Sequence, residues 1–435
     1  MESKISHKRI LKIAVPMVMS NATIPILGAV DIGVIGQLGD QILLAAVGMG
    51  AIVITTIYWI FGFLRMGTTG LVAQAAGAGD QGEVYSWLIR GIFIGFFAGL
   101  LLILVQVPLF WLAFKLFQAL PNVEVQAEMY LAIRIWSAPL SISNFAILGW
   151  LIALEKTPQV LFLQIFTNLL NISLNIIFVL YLKWGIAGVA IASLVAEILG
   201  ALLGLTIAIR FYQSSRYPKV LKIFSFQEWK KLFVTNINIL VRSLALEIVI
   251  ISYVFFGSTI GTVVLAANHI LLQFVHISSY ALDGFAFSAE ALVGTAYGKK
   301  SKKLIREAAI KTTLWAFICA VLITLFLFNF SEKLIRLMVT DEGIQNVTIK
   351  YSFWMVITPL SGFLSFMLDG IFIGATKTQY MRKAMFQSCT VYVISMCILF
   401  PVFENYGLWI CINVFFLARA VSLLRYYPAL ENFKK

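Results

Sequence analysis

The sequence predicts an all-α polytopic membrane protein, with twelve transmembrane helices in two pseudo-symmetric six-helix lobes. Three observations predict it. Of 435 residues, 60% are apolar and only 12% charged, too little polar surface to cover a soluble body of this size. Apolar runs recur along the whole chain, each long enough for a hydrocarbon core of about 30 Å, which takes about 20 helical residues to cross. The two halves of the chain also align with each other. Segments that alternate apolar and polar residues are lacking, which argues against a barrel.

Charged and turn residues divide the chain into spans at 9–38, 42–76, 86–115, 127–154, 158–183, 185–210, 230–257, 261–297, 307–330, 348–375, 379–402 and 406–427. Several are long enough to require tilt or protrusion. Pro16, Pro25, Pro139 and Pro359 sit inside spans, where kinks are expected. Residues 1–210 are expected to form an N-lobe, 211–229 a cytoplasmic interfacial linker, and 230–435 a C-lobe. The basic linker carries Trp229 and suits the inner membrane surface.

The net charge is +13. In this context it marks cytoplasmic loops rather than a nucleic-acid partner. Of the 33 Lys and Arg residues, twenty-four fall on the side of the termini, and five (Lys115, Lys183, Lys333, Arg336, Lys350) on the other. The asymmetry puts both termini in the cytoplasm of a protein in the plasma (inner) membrane. The basic N-terminal stretch reads as the start of a retained first span, not a cleaved signal. Cys319, Cys389, Cys397 and Cys411 lie in apolar runs without metal or disulfide spacing.

A shift of 221 residues places Gly36 on Gly257, Leu44-Ala45-Ala46 on Leu265-Ala266-Ala267, Leu71-Val72 on Leu292-Val293, and Gly77 on Gly298. PLSISNFAILGWLIALEKT (139–157) resembles PLSGFLSFMLDGIFIGATKT (359–378), with one inserted residue. Two halves of six spans in the same orientation are related by an axis along the membrane normal, a transporter arrangement.

An acid within a span is costly and points to function. The candidates are Asp31, Glu197, Glu247, Asp283, Glu290 and Asp369. Asp31 lies about 10 Å inside the outer end of its span at 1.5 Å per residue. Asn168, Asn171 and Asn175 share one face of the fifth span. An acid beside this amide stripe suits a proton or a sodium ion; the competing reading is a structural hydrogen-bond network. Asn236, Ser243 and Glu247 share a face of the seventh span, and Thr358, Ser361, Ser365 and Asp369 a face of the tenth. There the alternative is structural glue between helices. Sodium is a candidate at Asp31 or at Glu247/Asp369, and no resident metal or cofactor is expected.

His269, His276, Asp283 and Glu290 recur every seven residues on the eighth span, near one face. Chains of such groups form proton relays, with waters bridging steps of about 10 Å. Arg65, Arg134, Arg242 and Arg419 lie within spans and are candidate counter-charges; an acid paired permanently with one stays ionised and cannot cycle. Glu197 and Arg419, near corresponding places in the last span of each half, are read as structural.

The segments VDIGVIGQLGD (30–40), LRMGTTGLVAQAAGAGD (64–80), IRIWSAP (133–139), DGFAFSAEALVGTAYG (283–298) and LDGIFIGATKT (368–378) together resemble the multidrug and toxic compound extrusion (MATE) family, nearest its DinF-like branch. The resemblance covers nearly the whole chain. It implies two six-helix lobes forming a V, alternating access, and exchange of an organic substrate for protons or sodium ions. It carries coupling roles onto Asp31, Glu247 and Asp369. Where some relatives have a second aspartate on the fifth span, this chain has Asn175.

The leading function is therefore a secondary antiporter exporting amphipathic, often cationic, organic compounds; it is not an enzyme and is expected to act as a monomer in lipid. A neighbouring alternative is a lipid-linked precursor flippase of the same superfamily. Four intramembrane arginines against six acids weakly favour cationic cargo. GAGD (77–80) matches a short pattern of intramembrane aspartyl proteases, a remote alternative, but it ends a span and enters a polar loop, unsuited to a shared-proton carboxylate pair.

Overall fold

The computed structural model describes residues 5–37, 39–117, 120–214 and 223–433; the side chains of 24–29, 31, 32, 116, 117 and 214 also lie outside the described set. Every regular element within it is helical: α1 (His7–Gly36), α2 (Gln41–Ile60), α3 (Phe63–Ala78), α4 (Gln81–Leu104), α5 (Gln106–Phe117), α6 (Pro121–Arg134), α7 (Ala138–Ala153), α8 (Thr157–Asn175), α9 (Gly185–Ser214), α10 (Phe226–Ile260), α11 (Thr262–Gly298), α12 (Lys302–Met338), α13 (Glu342–Gly374) and α14 (Thr378–Tyr426). Large apolar side chains such as Leu104, Phe97, Ile310, Leu322 and Phe328 are exposed on these helices. Water would penalise such surface, whereas lipid tails solvate it.

Ten helical stretches among the described residues are long and apolar enough to cross a membrane. Two further crossings complete the twelve. One is α1, with 30 residues. The other is hidden in the last stretch, where Glu404 turns to φ 46° and ψ −119°, three residues past Pro401, and breaks α14 in two. The expected second span is α2 and α3, broken at Phe61 and Gly62, and the fourth is α6 and α7, joined by a 3-10 turn at Ile135–Ser137 just ahead of Pro139. A proline cannot donate into the preceding turn, which is why the helix tightens there.

The described residues form two compact units, Met1–Val18 with Lys231–Lys435, and Met19–Lys230. The first turns of α1 group with the second half of the chain, and residues 211–230 group with the first. A Cβ on Gly284 of α11 would lie 2.9 Å from Val18 N, so the two backbones nearly touch. Lys311 Nζ donates to Ile5 O at 2.6 Å, and Trp315 Nε1 to His7 Nδ1 at 3.1 Å. Residues 215–222 of the expected linker lie outside the described set; beyond them, Ile223 O accepts from Trp229 Nε1 (2.9 Å) and from Arg90 Nε (3.2 Å).

The internal repeat is visible in the backbone. Positive φ angles occur at Gly79 and Lys300, at Glu155 and Thr376, and at Lys183 and Glu404. Each pair is separated by the 221-residue offset of the sequence repeat. Only the first pair includes a glycine, so the turns repeat although the residues do not. Between Gly79 and α4, Asp80 caps the helix by accepting from Glu83 N at 2.9 Å. The aspartate of GAGD is thus an exposed N-cap, as its sequence context indicates.

A glycine stripe positions α7 in the N-terminal half. A Cβ on Gly91, Gly95 or Gly99 of α4 would meet Ala146 Cβ at 2.7 Å, Ser143 Cα at 2.6 Å or Pro139 N at 2.3 Å. Small residues every fourth position let helices without a hydrophobic driving force approach closely. Gly370 and Gly374 of α13 do the same against Ala286 O and Glu290 O of α11, each at 2.5 Å.

Two predictions arise here. Gly95→Val forces a branched side chain into the α7 backbone. Overpacking costs about 1–3 kcal/mol or more, so detergent-solubilised variant should melt several degrees below wild type; an unchanged melting curve would refute the close contact. The second concerns sidedness. Ser301 caps α12 and Asp341 caps α13, and the 37 residues of α12 that lie between the two caps are long enough to cross the bilayer. Single cysteines at Lys302 and Asp341, in a background lacking native cysteines, should label from opposite sides, with Asp341 outside. Labelling of both by an impermeant reagent from outside would reject the topology.

Candidate functional site

A cavity of about 600 Å³ opens within the N-terminal unit, between α2, α6, α7, α8 and α9. Its size suits a drug-sized molecule. The glycine stripe explains one wall: α7 turns Ser143 and Ala146 to α4 and leaves Ser141, Asn144, Phe145 and Leu148 to face the cavity. From α2 come Val47, Ala51, Ile54, Thr55 and Tyr58, and α6 adds Tyr130 and Arg134. The lining is thus mostly apolar, with a few convergent polar groups.

The polar groups centre on Glu197 of α9. Arg134 Nη2 donates to its Oε1 at 2.7 Å, while Ser137 and Ser141 donate to Oε2 at 2.6 and 2.7 Å. The Tyr58 hydroxyl lies 2.9 Å from Ser137 Oγ and 3.2 Å from Arg134 O. The 3-10 turn before Pro139 is what brings Ser137 and Ser141 to the same carboxylate oxygen. Glu197 keeps about a quarter of its side chain exposed, toward the cavity it lines.

The asparagine stripe is buried on α8. Asn175 Nδ2 donates to Asn171 Oδ1 (2.9 Å), and Asn171 Nδ2 to Ser193 Oγ (2.8 Å). Gln164 Nε2 donates to Asn168 Oδ1 at 3.0 Å. Asn168 and Asn171 line the cavity; Asn175 is fully buried behind them. The stripe therefore both ties α8 to α9 and faces the cavity. Asp31 is in α1 and belongs to the same unit, but its side chain lies outside the described residues.

In the other unit Asp369 of α13 is buried against two guanidinium groups, Arg242 of α10 and Arg419 of α14. The contacts tie α10, α13 and α14 together through one carboxylate. Arg242 also lies in the Coulomb field of Asp283 and Glu290. The polar face expected on α13 is used internally: Thr358 and Ser365 bond back to Trp354 O and Gly362 O, and Ser361 donates to Asn413 Oδ1 at 2.6 Å.

Glu247 of α10 is half-buried and has no hydrogen-bond or ion-pair partner among the described residues. It is the contrast to Asp369. Along α11, Glu290 is buried, Asp283 half-buried, and His276 and His269 exposed. Both acids act electrostatically on Arg242, while His269 meets Gln273 Nε2 at 3.4 Å. The four spaced groups thus divide into a buried and a half-buried acid and two exposed histidines. Among the described residues no cluster of three His, Cys, Asp or Glu has metal-binding geometry.

Sequence reasoning set Glu197 aside as structural, and the structure makes it the charged centre of the cavity wall. A signal was present: Arg134 on the fourth span and Glu197 on the sixth are the opposite charges of one half, but span positions alone do not show which residues meet.

The MatE family model matches this chain twice, over residues 16–177 and 239–399, once in each half. DNA damage-inducible protein F of Escherichia coli (strain K12) is 32% identical over 419 residues, 96% of this chain and 91% of that protein. A probable multidrug resistance protein NorM of Rhizobium meliloti is 28% identical over 69% of this chain and 65% of its own length. The Vibrio cholerae MATE transporter VcmN, solved in a bent form, superposes with a TM-score of 0.85 at 21% identity, covering 98% of this chain and 97% of that one. A helical membrane fold carrying a repeated MatE match and a full-length relative establishes that this chain belongs to the MATE family of transporters, which are not enzymes.

Proposed function

We propose that the protein is a secondary antiporter that exports amphipathic organic compounds in exchange for protons or sodium ions by alternating access, with the N-terminal cavity as its cargo site. The observation that carries this reading is the cavity itself, drug-sized, mainly apolar in surface, with polar groups from Arg134, Glu197, Asn144, Thr55 and the α8 amides among its lining. Apolar walls contribute affinity through area removed from water, and a few fixed polar groups orient the cargo.

Coupling needs a carboxyl group that binds and releases a cation during the cycle. In the N-terminal unit that role falls to Asp31, on the general ground that an acid within a span is retained for function. In the C-terminal unit it falls to Glu247, which lacks a counter-charge among the described residues. Asp369 instead neutralises Arg242 and Arg419, with Asp283 and Glu290 in support of Arg242.

Reconstitution into proteoliposomes, with pH and sodium gradients imposed separately, tests coupling directly. One of the two gradients should drive cargo movement; no response to either would reject antiport. Asp31→Asn should abolish gradient-driven export while leaving a folded protein that binds cargo, and full antiport by this variant would remove Asp31 from the mechanism. Asp369→Asn should act differently. It leaves two buried guanidinium groups short of their anion, a change of the kind that costs about 3–5 kcal/mol. Folded yield and melting temperature should fall sharply, whereas Glu247→Gln should keep both and lose coupling. Normal stability in the Asp369→Asn protein would show that the clamp is dispensable.

A further inference from the structure

One exposed strip of α12 carries charge at its start and only apolar groups beyond it. Lys303, Arg306, Ile310, Leu314 and Phe317 are all exposed, and at 3.6 residues per turn they fall within an arc of about 80°. Phe317 lies eleven residues past Arg306, a rise of about 16 Å, close to half the thickness of a hydrocarbon core. The turn before α12 adds Lys299, Lys300 and Lys302, also exposed. Five cations therefore stand at the head of an apolar strip one monolayer deep. Glu307, the nearest acid on the helix, pairs with Lys311 at 2.5 Å instead.

An anion is already bound at this head. The Glu431 carboxylate, in the C-terminal segment, takes Arg306 in a two-point contact, with Nε donating to Oε1 at 2.5 Å and Nη2 to Oε2 at 2.6 Å. Those hydrogen bonds hold the Glu431 carboxyl below the ordinary carboxylate range, and Lys302 adds to the effect. A two-point contact of this kind is how a guanidinium receives a carboxylate or a phosphate. Packing of its own segment keeps Glu431 in place: Leu430 is fully buried, and the Phe433 ring meets Tyr297 at 5.3 Å. The Arg306 side chain nevertheless stays 64% exposed, open to a second anion.

We propose that the α11–α12 turn and this strip of α12 form a binding site for an anionic phospholipid, its phosphate among Lys302, Lys303 and Arg306 and an acyl chain along Ile310, Leu314 and Phe317, with Glu431 as the intrachain rival for Arg306. Acyl chains cover an apolar helix face whatever their headgroup. What sets this strip apart is the charge at its head, since basic clusters beside a membrane span attract anionic headgroups. A zwitterionic lipid brings an ammonium group into the same place, where the five cations oppose it. A soluble phosphate ester supplies the anion without the chain and gains nothing from Ile310 or Phe317.

The test places a bimane reporter on Ile318→Cys, beside the strip, in full-length protein lacking native cysteines. The protein is reconstituted into phosphatidylcholine bilayers holding a minor fraction of lipid with dibrominated chains, either phosphatidylglycerol or phosphatidylcholine. Bromine quenches only near contact, so quenching reads which lipid occupies the strip. Brominated phosphatidylglycerol should be favoured about threefold or more, and the preference should fall as salt rises. A reporter at Ile394, exposed on α14, should not distinguish the two lipids. In the Lys303→Gln/Arg306→Gln protein the preference should vanish, and in Glu431→Gln it should grow. Equal quenching by the two lipids at Ile318, a preference as large at Ile394, or a preference that survives the double substitution overturns the proposal. An unchanged preference in Glu431→Gln rejects Glu431 as the rival. Added glycerol phosphate should leave the quenching as it was; displacement of the lipid by it would make this a phosphate site and overturn the lipid assignment.

Discussion

An ionised side chain in a hydrocarbon layer is tolerated only beside an opposite charge, a hydrogen-bonding partner or water. Much of the interior of this protein follows from that constraint. Arg134 meets Glu197, and Arg242 and Arg419 converge on Asp369. Each contact joins different helices, so charge neutrality acts as a tie between spans that apolar packing alone cannot provide where the solvent is itself apolar. The glycine stripes supply the complementary element. They bring α4 onto α7 and α13 onto α11 at near-backbone contact.

Much of the fold was legible in the sequence because it depends on local quantities. Span length, hydropathy and the offset between halves identified twelve crossings and their repeat, and three pairs of positive-φ residues fall on that offset. The division of the chain was less legible. The first turns of α1 belong to the second unit, and the contact of Gly284 with Val18 that fixes this is between residues 266 positions apart. No local pattern encodes such a contact.

The candidate site shows the same boundary. Helical spacing correctly placed Asn168, Asn171 and Asn175 on one buried face. What spacing does not carry is the partner of each charge. Glu247 and Asp369 look alike as sequence, each an acid on a polar face of a span. In the structure one is without a partner among the described residues and the other is clamped by two arginines. Their chemistry differs because of Arg242 and Arg419, which lie 127 and 50 residues from Asp369. The partners of Glu197, which are Arg134 and two serines distant in sequence, were equally out of reach of spacing.

The two halves share a backbone plan and diverge in charge. The last span of the N-terminal half carries Glu197, and the last span of the C-terminal half carries Arg419 near the corresponding place. In the first half that acid meets an arginine on α6 and borders a cavity; in the second that arginine meets an aspartate on α13 and is almost fully buried. Duplication preserves geometry because helix breaks and close contacts depend on backbone shape, which many sequences satisfy. Ion pairs depend on two specific side chains, and reversing both signs preserves neutrality. A repeat of this kind therefore allows one copy to keep its charges sealed as a structural clamp while the other opens them to a cavity. The distinction lies in one residue: about a quarter of the Glu197 side chain is exposed, whereas Arg134 and Asp369 each show 8%. The first half thus leaves an acid partly open at its cavity, where the second closes its acid between two cations.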